Sequence, residues 1–244
     1  MVRPVSVTDE VMADVPFSTL ADTVLERLTA TYAAAADPER AAPMRAYMKD
    51  VAPFLGLTTP VRRALSRSVL EGLPRPDESD CTAIALRCWQ LPEREYHYFA
   101  VDYLRRHARA CSSAFLPVAR HLVATVSWWD TVDALAAHVV GALVAADRKL
   151  TADMDAWIVD DDLWIARTAL LHQLRYKELT DTERLFTYCL RQSGHPEFFI
   201  RKAIGWCLRE YARTDPAAVR EFLARERGRF APLSVREALK NIGA

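Results

Sequence analysis

At 244 residues, with 51% hydrophobic and 26% charged residues, the chain has the makeup of a folded globular protein and excludes disorder on a large scale. Thirty-two basic residues cancel thirty-two acidic ones, so no overall positive field draws it to nucleic acid, and any such binding must come from a local patch. Seven glycines in a sequence rich in Ala, Leu and Arg disfavour a chain of tight β-turns, and an all-α fold is the first inference.

The length exceeds a usual single core and implies either two domains or an elongated repeat array. Cys81, Cys88, Cys111, Cys189 and Cys207 are odd in number and form no C-x-x-C pair, which fits neither a disulfide framework nor a cysteine zinc site. They are expected to be buried thiols in a reducing, cytoplasmic setting. Residues 1–10 lack the basic-then-apolar pattern of a secretory leader. The longest uncharged apolar run, Ala134 to Ala146, contains His138 and is too short to span a bilayer.

In chain order, residues 1–17 carry Pro4 and Pro16 without hydrophobic period and are expected to form a loose extension, with a single domain over 18–244. Leu20, Val24, Leu25 and Leu28 mark a first amphipathic helix ending near Asp37-Pro38, and Met44, Tyr47 and Met48 a short second one. Thr59 is the expected N-cap of a third, with Pro60 at its first position. Helices are then expected at about 60–71, 78–90, 92–109, 113–126, 128–147, 151–160, 162–176, 180–192, 196–213, 215–228 and 233–242.

A repeat runs across these helices. Ile165-Ala166-Arg167-Thr168-Ala169 aligns with Ile200-Arg201-Lys202-Ala203-Ile204 and Val235-Arg236-Glu237-Ala238-Leu239 at a constant offset, 200−165 = 235−200 = 35. Extended backwards, the register places Ala169 over Ala134, Phe99 and Ala64, and Trp164 over Trp129. Paired helices at this period imply an α-solenoid, HEAT-like rather than tetratricopeptide, with a concave surface of equivalent positions. Val132 or Asp133, Arg167 and Lys202 share nearly one such position.

Chemistry concentrates in Ser127-Trp128-Trp129-Asp130-Thr131-Val132-Asp133. In a helix Trp129 and Asp133 share a face, while Trp128 turns with Val132 and Leu135. An indole beside a carboxylate suits a cationic, planar or sugar-like group. The alternative is a helix start with Asp130 at the dipole and both tryptophans in the core. Arg167 interrupts the stripe Leu163, Leu170, Leu174 and requires an anionic partner, internal or external. Lys202, Trp206, Arg209 and Arg213 form a face opposite Ile200, Ile204, Leu208 and Tyr211, suited to a sugar–phosphate backbone or to plain solvation. Residues 162–213 hold nine basic and six acidic residues, a modest excess of three. There is no phosphate-binding glycine loop, H-E-x-x-H or G-x-S-x-G, and the six histidines show no ligand spacing, so no metal or cofactor is expected.

Taken together, Ala46-Tyr47-Met48-Lys49, Phe54-Leu55-Gly56, Thr59-Pro60-Val61-Arg62-Arg63, Leu91-Pro92-Glu93-Arg94-Glu95, the S-W-W-D-T-V-D segment, Leu163-Trp164 through Arg167, Phe198-Phe199-Ile200, Lys202-Ala203-Ile204-Gly205-Trp206, Leu208-Arg209-Glu210-Tyr211 and Leu233-Ser234 with Arg236-Glu237-Ala238 resemble the AlkD family of bacterial DNA alkylation-repair glycosylases. The resemblance implies a right-handed HEAT-like superhelix whose concave face binds duplex DNA. It implies hydrolysis of the N-glycosidic bond of N3- or N7-alkylated purines without a deep base pocket. By the same resemblance Asp133 is the catalytic carboxylate, Trp129 and Trp206 contact the sugar, Arg167 holds a phosphate and Tyr47 lies at the DNA; Lys202 and Arg209 are added from the basic face. A monomer needing no protein partner is expected. Two other readings remain at this point: a self-resistance glycosylase that excises bulky natural-product adducts, and a non-catalytic DNA- or protein-binding scaffold.

Overall fold

The computed structural model describes residues 15–240, and all the regular structure in them is helical. The expected extension lies outside the described residues except for its last three, which precede the first helix without regular structure. Ser18 caps that helix, its hydroxyl accepting from Ala21 N at 2.9 Å.

The helices are α1 Thr19–Ala34, α2 Pro38–Tyr47, α3 Thr59–Val69, α4 Glu78–Gln90, α5 Arg94–His107, α6 Leu116–Ala124, α7 Trp129–Ala146, α8 Thr151–Trp157, α9 Leu163–Leu171, α10 Thr182–Arg191, α11 Phe198–Tyr211, α12 Pro216–Glu226 and α13 Pro232–Ala238. The expected boundaries hold to a few residues. One is corrected: Thr58, not Thr59, is the cap of α3, because the extended backbone stops at Thr58 (φ −62°, ψ 154°) and Thr59 already turns. Connections of three to eleven residues, with caps by Asp37, Asp77, Asp162, Asp181 and Asp215, punctuate the series.

The chain divides into two compact units, one up to Thr131 and one from Val132 onward. In the first, α1 packs on α3 and α4, and α4 on α5 and α6, around Leu28, Ile84, Phe99, Leu104 and Leu122. Gly56 turns with φ +88°, where an added Cβ would lie 2.1 Å from the Asp37 carbonyl. The fully buried Glu95 carboxylate accepts the backbone N–H groups of Leu55, Gly56 and Leu57 at 2.9, 2.9 and 3.0 Å. The sequence segments F-L-G and R-E therefore hold each other.

In the second unit α9 packs on α8, α10 and α11, and α11 on α12 and α13. The repeat register holds at Ile165 and Ile200, fully buried, and Val235, nearly so, while Leu239, at the position of Ala169 and Ile204, is exposed. It loosens upstream, where Phe99 is buried but Ala134 is half-buried and Ala64 exposed. A physical cause lies in α7, whose residues Ala136–Val140 form a π-turn that inserts extra residues into the helical period. By length and composition α7 could cross a membrane, yet half of it is buried against protein. All five cysteines are buried and free, with Cys189 and Cys207 sulfurs 3.6 Å apart.

Gly205 shows what close packing requires. A Cβ there would stand 2.4 Å from Glu237 Cβ and 2.8 Å from the Ser234 carbonyl, so α11 and α13 touch at this residue. Gly205→Ala should lower the unfolding free energy by about 1–3 kcal/mol, the usual cost of overpacking, measured by urea denaturation. An unchanged midpoint would mean that the two helices separate there at no cost.

Candidate active site

The site begins at the turn before α7. Val126 has φ +48°, a left-handed backbone that costs a β-branched residue roughly 1–2 kcal/mol. Arg94 on α5 holds that turn: it is 1% exposed and its Nη1 donates to the Val126 carbonyl at 2.7 Å. The same guanidinium forks Asp130, with Nη2 to Oδ1 at 2.5 Å and Nε to Oδ2 at 3.0 Å, and also reaches Thr131 Oγ1 at 3.0 Å. Tyr98 donates its hydroxyl to Asp130 Oδ2 at 2.6 Å, and burial together with the Asp130 charge raises its pKa far above the ordinary phenol value. His97, against Arg94 at 3.3 Å, has its pKa pushed down to about 4 by burial and then by the Arg94 charge. The first aspartate of the motif is therefore a structural anchor, held by more than the helix dipole.

The second aspartate belongs to the other unit and is held by a different arginine. Asp133 lies one turn beyond Trp129 on α7, and Val132 and Leu135 are fully buried on the adjoining face, as the spacing required. Arg167 on α9 forks it, Nε to Oδ1 at 2.7 Å and Nη2 to Oδ2 at 2.8 Å. The remaining Nη1 donates to the Phe199 carbonyl, and the guanidinium carbon sits 5.9 Å from the Phe199 ring centre. Phe199 in turn packs on Trp164, ring centres 5.1 Å apart. The Arg167 side chain is 4% exposed and that of Asp133 14%. In this structure the N–H groups of Arg167 turn inward, to Asp133 and the Phe199 carbonyl, so it has an internal anionic partner.

Trp129 and Trp206 are both half-buried, so each keeps part of its indole accessible. On α11 the expected stripe is present, with Ile200, Ile204 and Leu208 fully buried and Lys202, Trp206, Arg209 and Arg213 outside the core. The cations are not simply solvated, however. Lys202 Nζ, Arg209 Nη1 and Lys240 Nζ converge on the buried Glu237 carboxylate at 2.8, 3.0 and 2.5 Å. Three positive charges meet one negative, so the cluster keeps a net excess of two. Hydrogen bonds from Lys202 and Lys240 hold the Glu237 carboxyl down at about 2. In the first unit Tyr47 ends α2 and is 73% exposed. No group of three or more His, Cys, Asp or Glu side chains is arranged to hold a metal among the described residues.

Sequence reasoning missed Arg94, Tyr98 and Glu237. The signal was there for the last: Glu237 occupies the repeat position of Lys202, with 237−202 = 35. Asp133 and Arg167, 34 apart, occupy the same position two repeats earlier. Opposite charges at equivalent positions of successive repeats are partners.

A model of the DNA alkylation repair enzyme family matches residues 28–242. The chain belongs to that family. Among solved structures it is similar to a predicted DNA alkylation repair enzyme from Enterococcus faecalis, at 32% identity and a TM-score of 0.75, over 84% of this chain and 96% of that one. No curated protein matches. Membership makes the all-helical architecture the α-helical repeat fold of this family and makes the protein an enzyme of alkylation-damage repair.

The Glu237 cluster gives this family member a titratable joint between α11 and α13. A depressed carboxyl pKa stabilises the fold above the unfolded value near 4.5, and that contribution disappears as pH falls through about 2. Glu237→Gln should therefore lower stability at pH 7, and the gap to the native protein should close between pH 4.5 and 2, followed by thermal melting across pH. A gap constant over that range would remove the ion cluster as its cause.

Proposed function

We propose that the protein is a monofunctional DNA glycosylase that hydrolyses the N-glycosidic bond of cationic N3- or N7-alkylated purines in duplex DNA and leaves an abasic site. The observation that carries this reading is a carboxylate, Asp133, locked in orientation by a buried arginine, still open to solvent, and one helical turn from a half-buried tryptophan.

An alkylated purine of this kind already carries positive charge, so it departs without a strong general acid. The enzyme's work is to stabilise the cation developing on deoxyribose and to direct water to it. The Arg167 fork fixes the orientation of both Asp133 oxygens, and the side chain is 14% exposed; in this reading Asp133 directs the water and faces the sugar. The indoles of Trp129 and Trp206 supply π density against the same cation. Arg167 acts through Asp133 as a positioning residue. Lys202 and Arg209, with the excess charge of their cluster, and the exposed Tyr47 are the groups we assign to the DNA backbone.

Arg94–Asp130 has the same fork geometry in a purely internal setting. It favours a second reading, a DNA-binding scaffold in which Asp133–Arg167 is likewise only structural. Base release separates the two. The native protein should free 3-methyladenine and 7-methylguanine from methylated duplex DNA in the presence of a chelator. Asp133→Asn should slow release by roughly 10²–10³-fold and retain DNA binding. Binding with no release from either protein favours the scaffold, unless large purine adducts are released, which would move the substrate to bulky lesions.

A further inference from the structure

The residues that lead into and open α7, Thr125 to Thr131, are tied down at almost every position. Trp89 on α4 donates its indole N–H to the Thr125 carbonyl at 3.1 Å, and Arg94 on α5 donates to that of Val126 at 2.7 Å. Ser127 Oγ donates to the Val123 carbonyl at 2.6 Å, and Thr131 reaches back to the Trp128 carbonyl, 3.2 Å from its backbone N and 3.3 Å from its Oγ1. Asp130, whose side chain is 8% exposed, is forked by Arg94 and accepts the Tyr98 hydroxyl at 2.6 Å. None of these bonds falls on the half-buried indole of Trp129.

A helix start does not need so much. One acceptor in the first turn serves it, and Asp130 Oδ1 already takes the Thr131 N–H at 3.0 Å, where the helix dipole also favours an acid. Yet a buried guanidinium and a phenol hydroxyl converge on the same carboxylate, through bonds stronger than those between neutral groups. Arg94 also fixes the left-handed turn at Val126, a conformation that persists only where its surroundings over-determine it. The support is itself packed: Trp89 and His97 stack with ring centres 4.8 Å apart, and His97 Nε2 lies 3.0 Å from the Leu91 carbonyl. The backbone on both sides of Trp129 is therefore fixed from α4 and α5.

Such a frame delivers one side chain to a set place. An indole that meets a sugar cation needs that precision, since a displacement of about 1 Å can cost roughly 10²-fold in rate. We propose that Arg94 and Tyr98 are positioning residues for base release, which act through Asp130 and the Val126 turn to hold the Trp129 indole where the deoxyribose cation forms. The proposal rests on the reading of the protein as a DNA glycosylase with Trp129 at the sugar.

Arg94 is 1% exposed and its loss would strand a buried carboxylate, so the test uses Tyr98→Phe, which keeps the ring and gives up one hydrogen bond. Single-turnover release of 7-methylguanine from methylated duplex, or of a bulky purine adduct if only that is excised, should be roughly tenfold slower at saturating protein. Affinity for the lesion duplex should be unchanged. Placed on Trp129→Ala, the same substitution should slow release no further, because no indole is left to misplace. Tyr188→Phe is the control: Tyr188 donates to Asp155 at 2.7 Å in the second unit, so this variant loses a bond of the same kind and should release base at the native rate. Release by Tyr98→Phe at the native rate overturns the proposal. A tenfold loss that recurs in the Trp129→Ala background, or that Tyr188→Phe matches, also overturns it and leaves the network a structural one. A native protein that releases neither methylated nor bulky purines overturns the glycosylase reading itself, and the proposal with it.

Discussion

The Arg167 guanidinium is 4% exposed, and a charge so buried persists only where its partner shares its environment and satisfies its hydrogen bonds. That partner is Asp133, and the third contact is the Phe199 carbonyl. One ion pair therefore ties together α7, α9 and the start of α11 within the second unit. Removing either member would leave an unpaired buried charge, commonly a loss of about 3–5 kcal/mol. The same constraint that makes the pair expensive to break makes the carboxylate hard to misplace. For the carboxylate we propose to meet a fleeting cation, that rigidity matters more than mobility.

The repeat supplies the means. Asp133 and Arg167, then Lys202 and Glu237, sit at equivalent positions of successive helices and pair across the joint. Arg94 and Asp130 form a fork in the first unit, 36 residues apart, and Arg62 and Asp102, 40 apart, pair through a single hydrogen bond. Most of these joints are structural. The Asp133 joint combines a fork from a buried arginine, some solvent access on the acid and a tryptophan one helical turn away.

Much of the fold was legible because helical periodicity is a short-range property: Ile200, Ile204 and Leu208 announce a buried stripe from sequence alone. The 35-residue offset was equally legible in the second unit, where Ile165, Ile200 and Val235 are all buried. It failed at Ala64 and Ala134, since π-turns and variable connections shift register without a residue signature. Trp129, Asp133 and Trp206 were singled out by type and spacing, and the structure leaves each of them partly accessible. The orientation of Arg167 was not legible, because a guanidinium interrupting an apolar stripe is equally consistent with an internal or an external anion. Arg94 escaped altogether: nothing in Leu91-Pro92-Glu93-Arg94-Glu95 tells that its arginine holds the strained turn at Val126. Gly205 carries the opposite lesson, since a glycine inside a recognisable motif serves helix packing there.

The central claim is that Arg167 serves catalysis through Asp133. A double-mutant cycle on base release at saturating methylated DNA tests it most directly, using Asp133→Asn, Arg167→Gln and the two combined. The account predicts that the double variant is no slower than Asp133→Asn alone, because the fork has no second task once its carboxylate is gone. Losses that multiply across the two substitutions would contradict it and give Arg167 a role of its own.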